Sequence, residues 1–395
     1  MTELSTRIHD LQLSTTQEIH DRAQELARRG VNLVNLGAGD PQFDLQLTPT
    51  DQNAGAIAED PGNYTSVDGL PELKKGLVNR YRKLYQRSID PQQIVLTSGA
   101  KAALFETLQT LLKPGETVLI PKPYWVSYPE QVKLAGGKPV PVEGSPATNF
   151  LPSVRQLEAS RRENTVAVIL NSPSNPTGGI YGASEGKKII SWAQQMGITV
   201  ISDECYDGYN YTEEGHWSFA QPDRGAGEVV VVGSFSKNFA MTGWRLGYLI
   251  SNEQLADNVT RFQSHFTSNP SSVAQYHAKH VLANTLTLPS NRREDFRQRR
   301  DFLAGKLDDL QGIECPKPPG SFYLFPNVNG LIELLNGENV DSDFDLARFL
   351  LDRAGVVTIP GSAFGAPGHL RIAYVRELAD LKEATEQIEQ TLLGK

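Results

Sequence analysis

Two cysteines, Cys205 and Cys315, are all that 395 residues contain, so no disulfide framework is expected and both read as free thiols. Positive charge is not in excess either. Lysines and arginines number 38 against 46 aspartates and glutamates, a formal net charge of −8, which argues against a nucleic-acid partner. Basic clusters exist at Arg292-Arg293 and from Arg297 to Arg300, but Glu294 and Asp295 interleave them. They read as a solvated helix face or an interface. No apolar stretch reaches the roughly 18 residues that a membrane span needs. The opening residues, Met1 to Asp10, are charged and carry no apolar core of a secretory signal, so the cytoplasm is the expected compartment. Internal repeats and low-complexity tracts are also missing. What remains is 39% hydrophobic and 21% charged, globular by composition and too long for one small core, which points to two domains.

Along the chain, Thr16 to Arg29 has helical spacing and stops at Gly30, a C-cap residue. A strand is expected over Val31 to Leu36, then a turn, Gly37-Ala-Gly-Asp-Pro41. Strands and helices then alternate. The strands are Ile94–Leu96, Thr117–Ile120, Val166–Leu170, Ile198–Ser202, Val229–Val232 and Tyr248–Ile250, and a helix fills Ala100 to Leu112. Val140 to Val142 is a further strand, confined to a sheet edge by Pro139 and Pro141. This alternation implies an α/β domain with a mostly parallel sheet, whose ligands bind beyond the carboxyl ends of the strands. After about Thr285 the pattern changes. A long charged helix, Asn291 to Leu310, leads to Phe322-Tyr-Leu-Phe325, a helix near Phe344 to Ala354 and a strand from Leu370 to Val375, which reads as a smaller α+β domain.

The most informative segment is Gly233 to Gly247. A strand delivers the chain to Ser234 and Ser236, Lys237 follows, and Arg245 lies eight residues on, with no acidic residue between. Hydroxyls and a guanidinium suit a phosphate, and a lysine amine suits an aldehyde, with which it forms a Schiff base. Pyridoxal 5'-phosphate carries both groups. Ser98-Gly99-Ala100-Lys101 adds a strand-to-helix turn whose N–H groups and helix dipole favour an anion. Trp125 follows a strand and a proline, and offers a flat face to a planar cofactor. Asn175 sits in Asn171-Ser-Pro-Ser-Asn-Pro-Thr-Gly178, held by two prolines. Asp203 and Tyr206 follow the strand Ile198–Ser202. Arg371 is flanked by apolar residues in Leu370-Arg-Ile-Ala-Tyr374, and its fork matches a carboxylate. Taken singly, each has a plain structural reading: a turn, a core tryptophan, an Asn-Pro turn, a helix-capping aspartate, a structural salt bridge.

Taken together, and in this order, the segments closely resemble class I and II aminotransferases of fold-type I, near the aspartate aminotransferase branch. The resemblance runs from Gly39 to Arg371. It implies a fold-type I transferase with an N-terminal arm and part of a small domain at 1–45, a large cofactor-binding domain at 46–285 and a small domain at 286–395. It gives Lys237 the covalent link to pyridoxal phosphate. Backbone amides at Gly99, Ala100 and Lys101, with Ser234, Ser236 and Arg245, go to the phosphate. Trp125 stacks on the ring, Asn175 and Tyr206 go to the phenolic oxygen, and Asp203 goes to the ring nitrogen. Tyr64 reaches the neighbouring subunit's phosphate, which implies a homodimer with shared sites. The substrate's α-carboxylate goes to Arg371, near Gly39, with Trp125 and Asn175 beside it. Lys101 and the hydroxyls of Ser14, Thr15 and Thr16 resemble the residues that one bacterial branch uses for a side-chain carboxylate, and Gln12 is the nearest polar residue where prephenate-using relatives carry a lysine. The expected substrates are an amino acid and a 2-oxo acid, aspartate or glutamate foremost. Aromatic transamination, or a lyase or synthase on the same fold, are the alternatives. A cofactor-sensing regulator would need a DNA-binding domain for which the chain has no room.

Overall fold

The computed structural model describes residues 15–43, 62–220 and 229–393. Strands are named in chain order: β1 (Val34–Asn35), β2 (Ile94–Thr97), β3 (Thr117–Lys122), β4 (Lys138–Glu143), β5 (Thr165–Asn171), β6 (Thr199–Asp203), β7 (Val229–Ser234), β8 (Gly247–Ile250), β9 (Tyr323–Leu324), β10 (Val356–Val357), β11 (Ile359–Pro360) and β12 (Leu370–Ala373).

Short apolar runs such as Ala167–Leu170 and Thr199–Ser202 are buried on both faces, as strands covered by helices on either side must be. They form a seven-stranded sheet in the order β2-β8-β7-β6-β5-β3-β4. Val168, Leu170, Val200 and Val231 face one core cluster, and Ile169, Ile201, Val230 and Val232 face another. Each fully buried side chain of this kind stabilises by about 1.5–3 kcal/mol. The pairings β3–β4, β3–β5, β5–β6 and β6–β7 are parallel, so the expected mostly parallel α/β sheet is what forms. Strand β4, with Pro139 and Pro141, pairs only with β3 and lies at the edge, because a proline has no N–H for a second neighbour.

One strand departs from the expected series. β8 runs antiparallel to both β7 and β2. Its start, rather than its end, therefore lies at the edge where the parallel strands finish. That reversal delivers Arg245, two residues before β8, to the same edge as Ser234.

A second group of elements packs on this unit. The helix Thr15–Arg28 buries Ile19, Ala23 and Leu26 in one cluster with Leu303, Leu346, Leu351, Ile372 and Leu381. The strand expected over Val31–Leu36 is only the two-residue β1, parallel to the two-residue β10. A three-stranded sheet, β11-β12-β9, completes the group. In the helix Ser290–Asp308 the reading of the arginines as a solvated face or an interface divides by residue: Arg293 and Arg297 are exposed, whereas Arg299 is buried. Arg299 is 3% exposed, bonded to Asp295, Glu377 and the carbonyls of Val375 and Arg376, because the helix packs on the C-terminal helix Leu378–Leu393. The two groups meet where Tyr206 and Tyr209 lie edge-on to Phe322, at ring separations of 5.2 and 4.9 Å.

Candidate active site

Register explains why distant residues converge. Pairing sets Asn171 at the end of β5 beside Asp203 at the end of β6, and Asp203 beside Val232, two residues short of Ser234 at the end of β7. Beyond these ends lies a cavity of about 140 Å³. Its lining includes Ala100, Lys101, Trp125, Asn175, Asp203 and Tyr206, and Ser234, Ser236, Lys237 and Arg245 close it.

At one end of the cavity the donors gather. The helix Ala100–Leu111 begins at Gly99 with no side-chain cap, which leaves its first N–H groups without an internal partner. Gly99 has φ +89°, and a Cβ there would stand 2.7 Å from Arg245 Nη2, so glycine both permits the turn and admits the guanidinium. Ser234 Oγ accepts from the Ser236 amide at 3.0 Å and keeps its own proton to donate. Arg245 adopts φ +52°, a left-handed backbone uncommon for a side-chain-bearing residue, and Nη1 donates to the Thr242 carbonyl at 2.8 Å. Hydroxyls, an uncapped helix start and a guanidinium together fit a phosphate.

At the other end Asp203 is buried. Tyr128 Oη donates to its Oδ2 at 2.7 Å and the Cys205 amide to its Oδ1 at 3.1 Å. Burial pushes the carboxyl above its usual range, against the pull of the Cys205 and Tyr128 donors. A cationic ring nitrogen beside it would compensate that burial. Trp125 stands edge-on to Tyr128 at 5.4 Å, and Lys101 Nζ lies 4.8 Å from the Trp125 ring centroid. Lys237 Nζ donates to the Gly39 carbonyl at 2.6 Å.

A neighbouring hollow of about 400 Å³ shares Trp125 and is lined by Gly37, Gly39 and Arg371. Arg371 Nη1 donates to Asn175 Oδ1 at 3.1 Å and Nη2 to the Gly37 carbonyl at 2.7 Å. Its guanidinium lies over Tyr323 and Phe364 at 4.6 and 4.9 Å, and Nε is buried without a partner. Among the described residues no carboxylate pairs with Arg371, so it is not the cation of a structural salt bridge. Asn175 Nδ2 in turn donates to Tyr206 Oη at 3.4 Å, and burial holds the Tyr206 phenol well above its usual range.

Some expected residues stand elsewhere. Tyr64 is 90% exposed on this chain and lines neither hollow. Thr15 and Thr16 start the helix Thr15–Arg28, but their hydroxyls, like Ser14 and Gln12, lie outside what is described. Other contributors were not singled out from sequence. Tyr128 could have been found by its three-residue spacing from Trp125. Asn171, which accepts from the Asn175 amide at 2.6 Å and donates to the Asp203 carbonyl at 2.9 Å, opens a motif already conspicuous. Tyr323 carries no local signal.

A mostly parallel α/β sheet with a lysine, a buried aspartate and a phosphate-suited cup beyond its strand ends defines a pyridoxal-phosphate enzyme of fold-type I. Comparison with known proteins narrows the class. The pattern of the family "Aminotransferase class I and II" matches residues 31–388. An aspartate aminotransferase of Bacillus subtilis is 38% identical over 98% of both chains. A probable aspartate/prephenate aminotransferase of Aquifex aeolicus is 36% identical over 98% of both. The crystal structure of the aspartate aminotransferase of Rhizobium meliloti superposes with a TM-score of 0.93 at 32% identity, over 99% of both chains. The chain belongs to the class I and II aminotransferases: it is a transaminase, and its cofactor is pyridoxal 5'-phosphate.

Proposed function

We propose that the chain moves an amino group between a dicarboxylic L-amino acid, aspartate or glutamate, and a 2-oxo acid, in two half-reactions. The observation that carries this reading is that two cations near Lys237, Arg371 and Lys101, have no acidic partner among the described residues. Arg371 has neutral oxygens as partners, and Lys101 lies over Trp125, where it lines both the inner cavity and a wider outer hollow of about 820 Å³. Two cations suit two carboxylates.

Pyridoxal phosphate, when bound, supplies an aldehyde that links to amines and a ring that draws electrons from the substrate's Cα. The chain's own residues do the rest. The Ala100 and Lys101 amides, Ser234, Ser236 and Arg245 hold the phosphate; the Gly99 amide, expected to join them, donates instead to the Thr97 carbonyl at 2.7 Å. Asp203 keeps the ring nitrogen protonated, with Tyr128 fixing its carboxylate. Trp125 stacks on the ring, and Asn175 and Tyr206 donate to the phenolic oxygen. Arg371 grips the α-carboxylate beside Gly39 and orients Cα, and the Lys237 amine, once freed, carries the proton at Cα as general acid and base. The aspartate and aspartate/prephenate relatives support the acidic preference; aromatic amino acids are the second reading, and a lyase or synthase activity is set aside.

Lys101→Ser tests the acidic preference. A desolvated ammonium–carboxylate contact is worth about 1.5–3 kcal/mol, so kcat/KM for aspartate and glutamate should fall roughly ten- to a hundredfold while phenylalanine changes little. An equal loss for all amino acids would overturn it.

The fully exposed Tyr64 ring supports a homodimer in which each Tyr64 serves its partner's phosphate. In mixtures of Tyr64→Phe and Lys237→Ala subunits, activity that tracks intact Lys237 sites alone, whichever subunit supplies Tyr64, would rule sharing out. A cytoplasmic location fits two free, buried thiols, and cell fractionation tests it.

A further inference from the structure

The Tyr206 hydroxyl is a junction of hydrogen bonds whose directions can be worked out. A guanidinium has donors and no acceptor, so Arg371 Nη1 turns the Asn175 amide with Oδ1 towards itself and Nδ2 towards Tyr206. Tyr206 Oη therefore accepts from Asn175. Its second neighbour is Tyr323 Oη, at 3.3 Å. Either hydroxyl of that pair can be the donor. Among the described residues Tyr323 Oη meets one hydrogen-bonding side chain, Tyr206. If Tyr323 donates, both of its own and Tyr206's protons are used: Tyr323 serves Tyr206, and Tyr206 is left to donate into the cavity that Lys237 and Asp203 line. If Tyr206 donated instead, its proton would be turned away from that cavity and the Tyr323 proton would have no side-chain acceptor.

Tyr323 is also held where it touches the other parts of the site. It lies on β9 opposite Ala373 of β12, two residues from Arg371, whose guanidinium rests 4.6 Å from the Tyr323 ring centroid. A Cβ at Gly39 would stand 1.9 Å from Tyr323 Oη, so the glycine whose carbonyl receives Lys237 is also what makes room for this hydroxyl.

We infer that Tyr323 is a positioning residue of the amino-transfer site: its hydroxyl donates to Tyr206 and so turns the Tyr206 proton into the cleft, towards the phenolic oxygen of the bound cofactor. The inference rests on the reading of this cleft as the cofactor site. The other charged or titratable groups around Tyr206 are Asp203, Cys205, Lys237 and, through Asn175, Arg371. Tyr323→Phe leaves all of them in place and keeps the ring beneath Arg371.

The test is a pH titration of the visible absorbance of the cofactor-loaded protein. When the lysine-linked nitrogen loses its proton, the negative phenolic oxygen is left to the protein's donors, so stronger donation by Tyr206 lowers the midpoint. Tyr323→Phe weakens that donation and should raise the midpoint by roughly 0.3–1 pH unit, with cofactor stoichiometry and melting temperature as in the wild type. Tyr206→Phe should raise it further. The double variant should shift no more than Tyr206→Phe alone, because Tyr323 acts through Tyr206. A wild-type midpoint in Tyr323→Phe, or additive shifts in the double variant, would overturn the inference and leave the cofactor site standing. A wild-type protein that takes up no pyridoxal phosphate would overturn both.

Discussion

Behind the wall of the cleft that carries Lys237 a buried charge is neutralised within the protein, whereas the Arg371 guanidinium on the facing wall meets no carboxylate among the described residues. Behind Lys237, Asp207 receives Arg80, Tyr85 and Asn238, all of them buried. Asn238 Oδ1 also accepts from the Gly208 amide at 3.2 Å, and Tyr209 Oη donates to the Lys237 carbonyl at 2.9 Å. A Cβ at Gly208 would sit 2.6 Å from Asn238 Oδ1, so the close approach depends on glycine. These bonds stitch the segment bearing Tyr206 to the segment bearing Lys237. Across the cleft, Arg371 rests on two aromatic faces and two neutral oxygens. A paired charge serves geometry, because its field is spent on a fixed partner. An unpaired one serves a ligand, because the cost of holding it is recovered only when an anion arrives.

Substitutions on the two walls should therefore fail differently. The largest effect belongs to Lys237→Ala. Loss of the amine proposed to hold the cofactor and move the proton should cost roughly 10²–10⁴-fold or more in turnover and abolish the absorbance of the lysine-bound cofactor. Wild-type turnover in this variant would remove Lys237 from the chemistry.

Asp207→Ala strikes the scaffold of the same wall. It strands the buried Arg80, and unfolding should lose about 3–5 kcal/mol of stability, read from denaturant titrations. The pH dependence has a definite sign. Burial is the largest single influence and would raise the Asp207 carboxyl, but Arg80, His216 and Tyr85 together outweigh it and hold the group below its usual range. A depressed folded-state value contributes stability that is full above the unfolded value, near 3.9, and is lost as pH falls through the folded one. The gap between wild type and Asp207→Ala should be full at neutral pH and narrow in acid below about pH 4. A gap that widened in acid would contradict the pairing.

Arg371→Leu is the smallest of the three and the sharpest contrast. Binding of every amino acid should weaken by roughly ten- to a hundredfold, seen in KM, as one charged hydrogen-bonded contact is lost. Stability should hold or rise, since no carboxylate is left behind. A stability loss comparable to that of Asp207→Ala would mean that the two walls are built alike.

The sequence by itself determined most of the elements and many residues of the candidate site. Apolar β-branched runs ending at Ser202 and Val232 announce buried strands, and polar residues just beyond such runs, Asp203 and Ser234, lie at the strand ends because burial stops there. Lys237, Arg245 and Gly99 were legible for the same reason: turn glycines, hydroxyls and charge spacing are written within a few residues of one another. Pairing between distant segments is not written locally. The antiparallel course of β8, which carries Arg245 to the correct edge, follows from strand order. The burial of Arg299 follows from a helix placed against it by the C-terminal helix. Tyr323 meets Tyr206 across 117 residues of chain, and Gly39 yields the space its hydroxyl fills. Periodicity and propensity report how each segment divides its surface between core and water; which hydroxyl donates to which, and which cation is left without a partner, is decided only when packing brings the segments within hydrogen-bond reach.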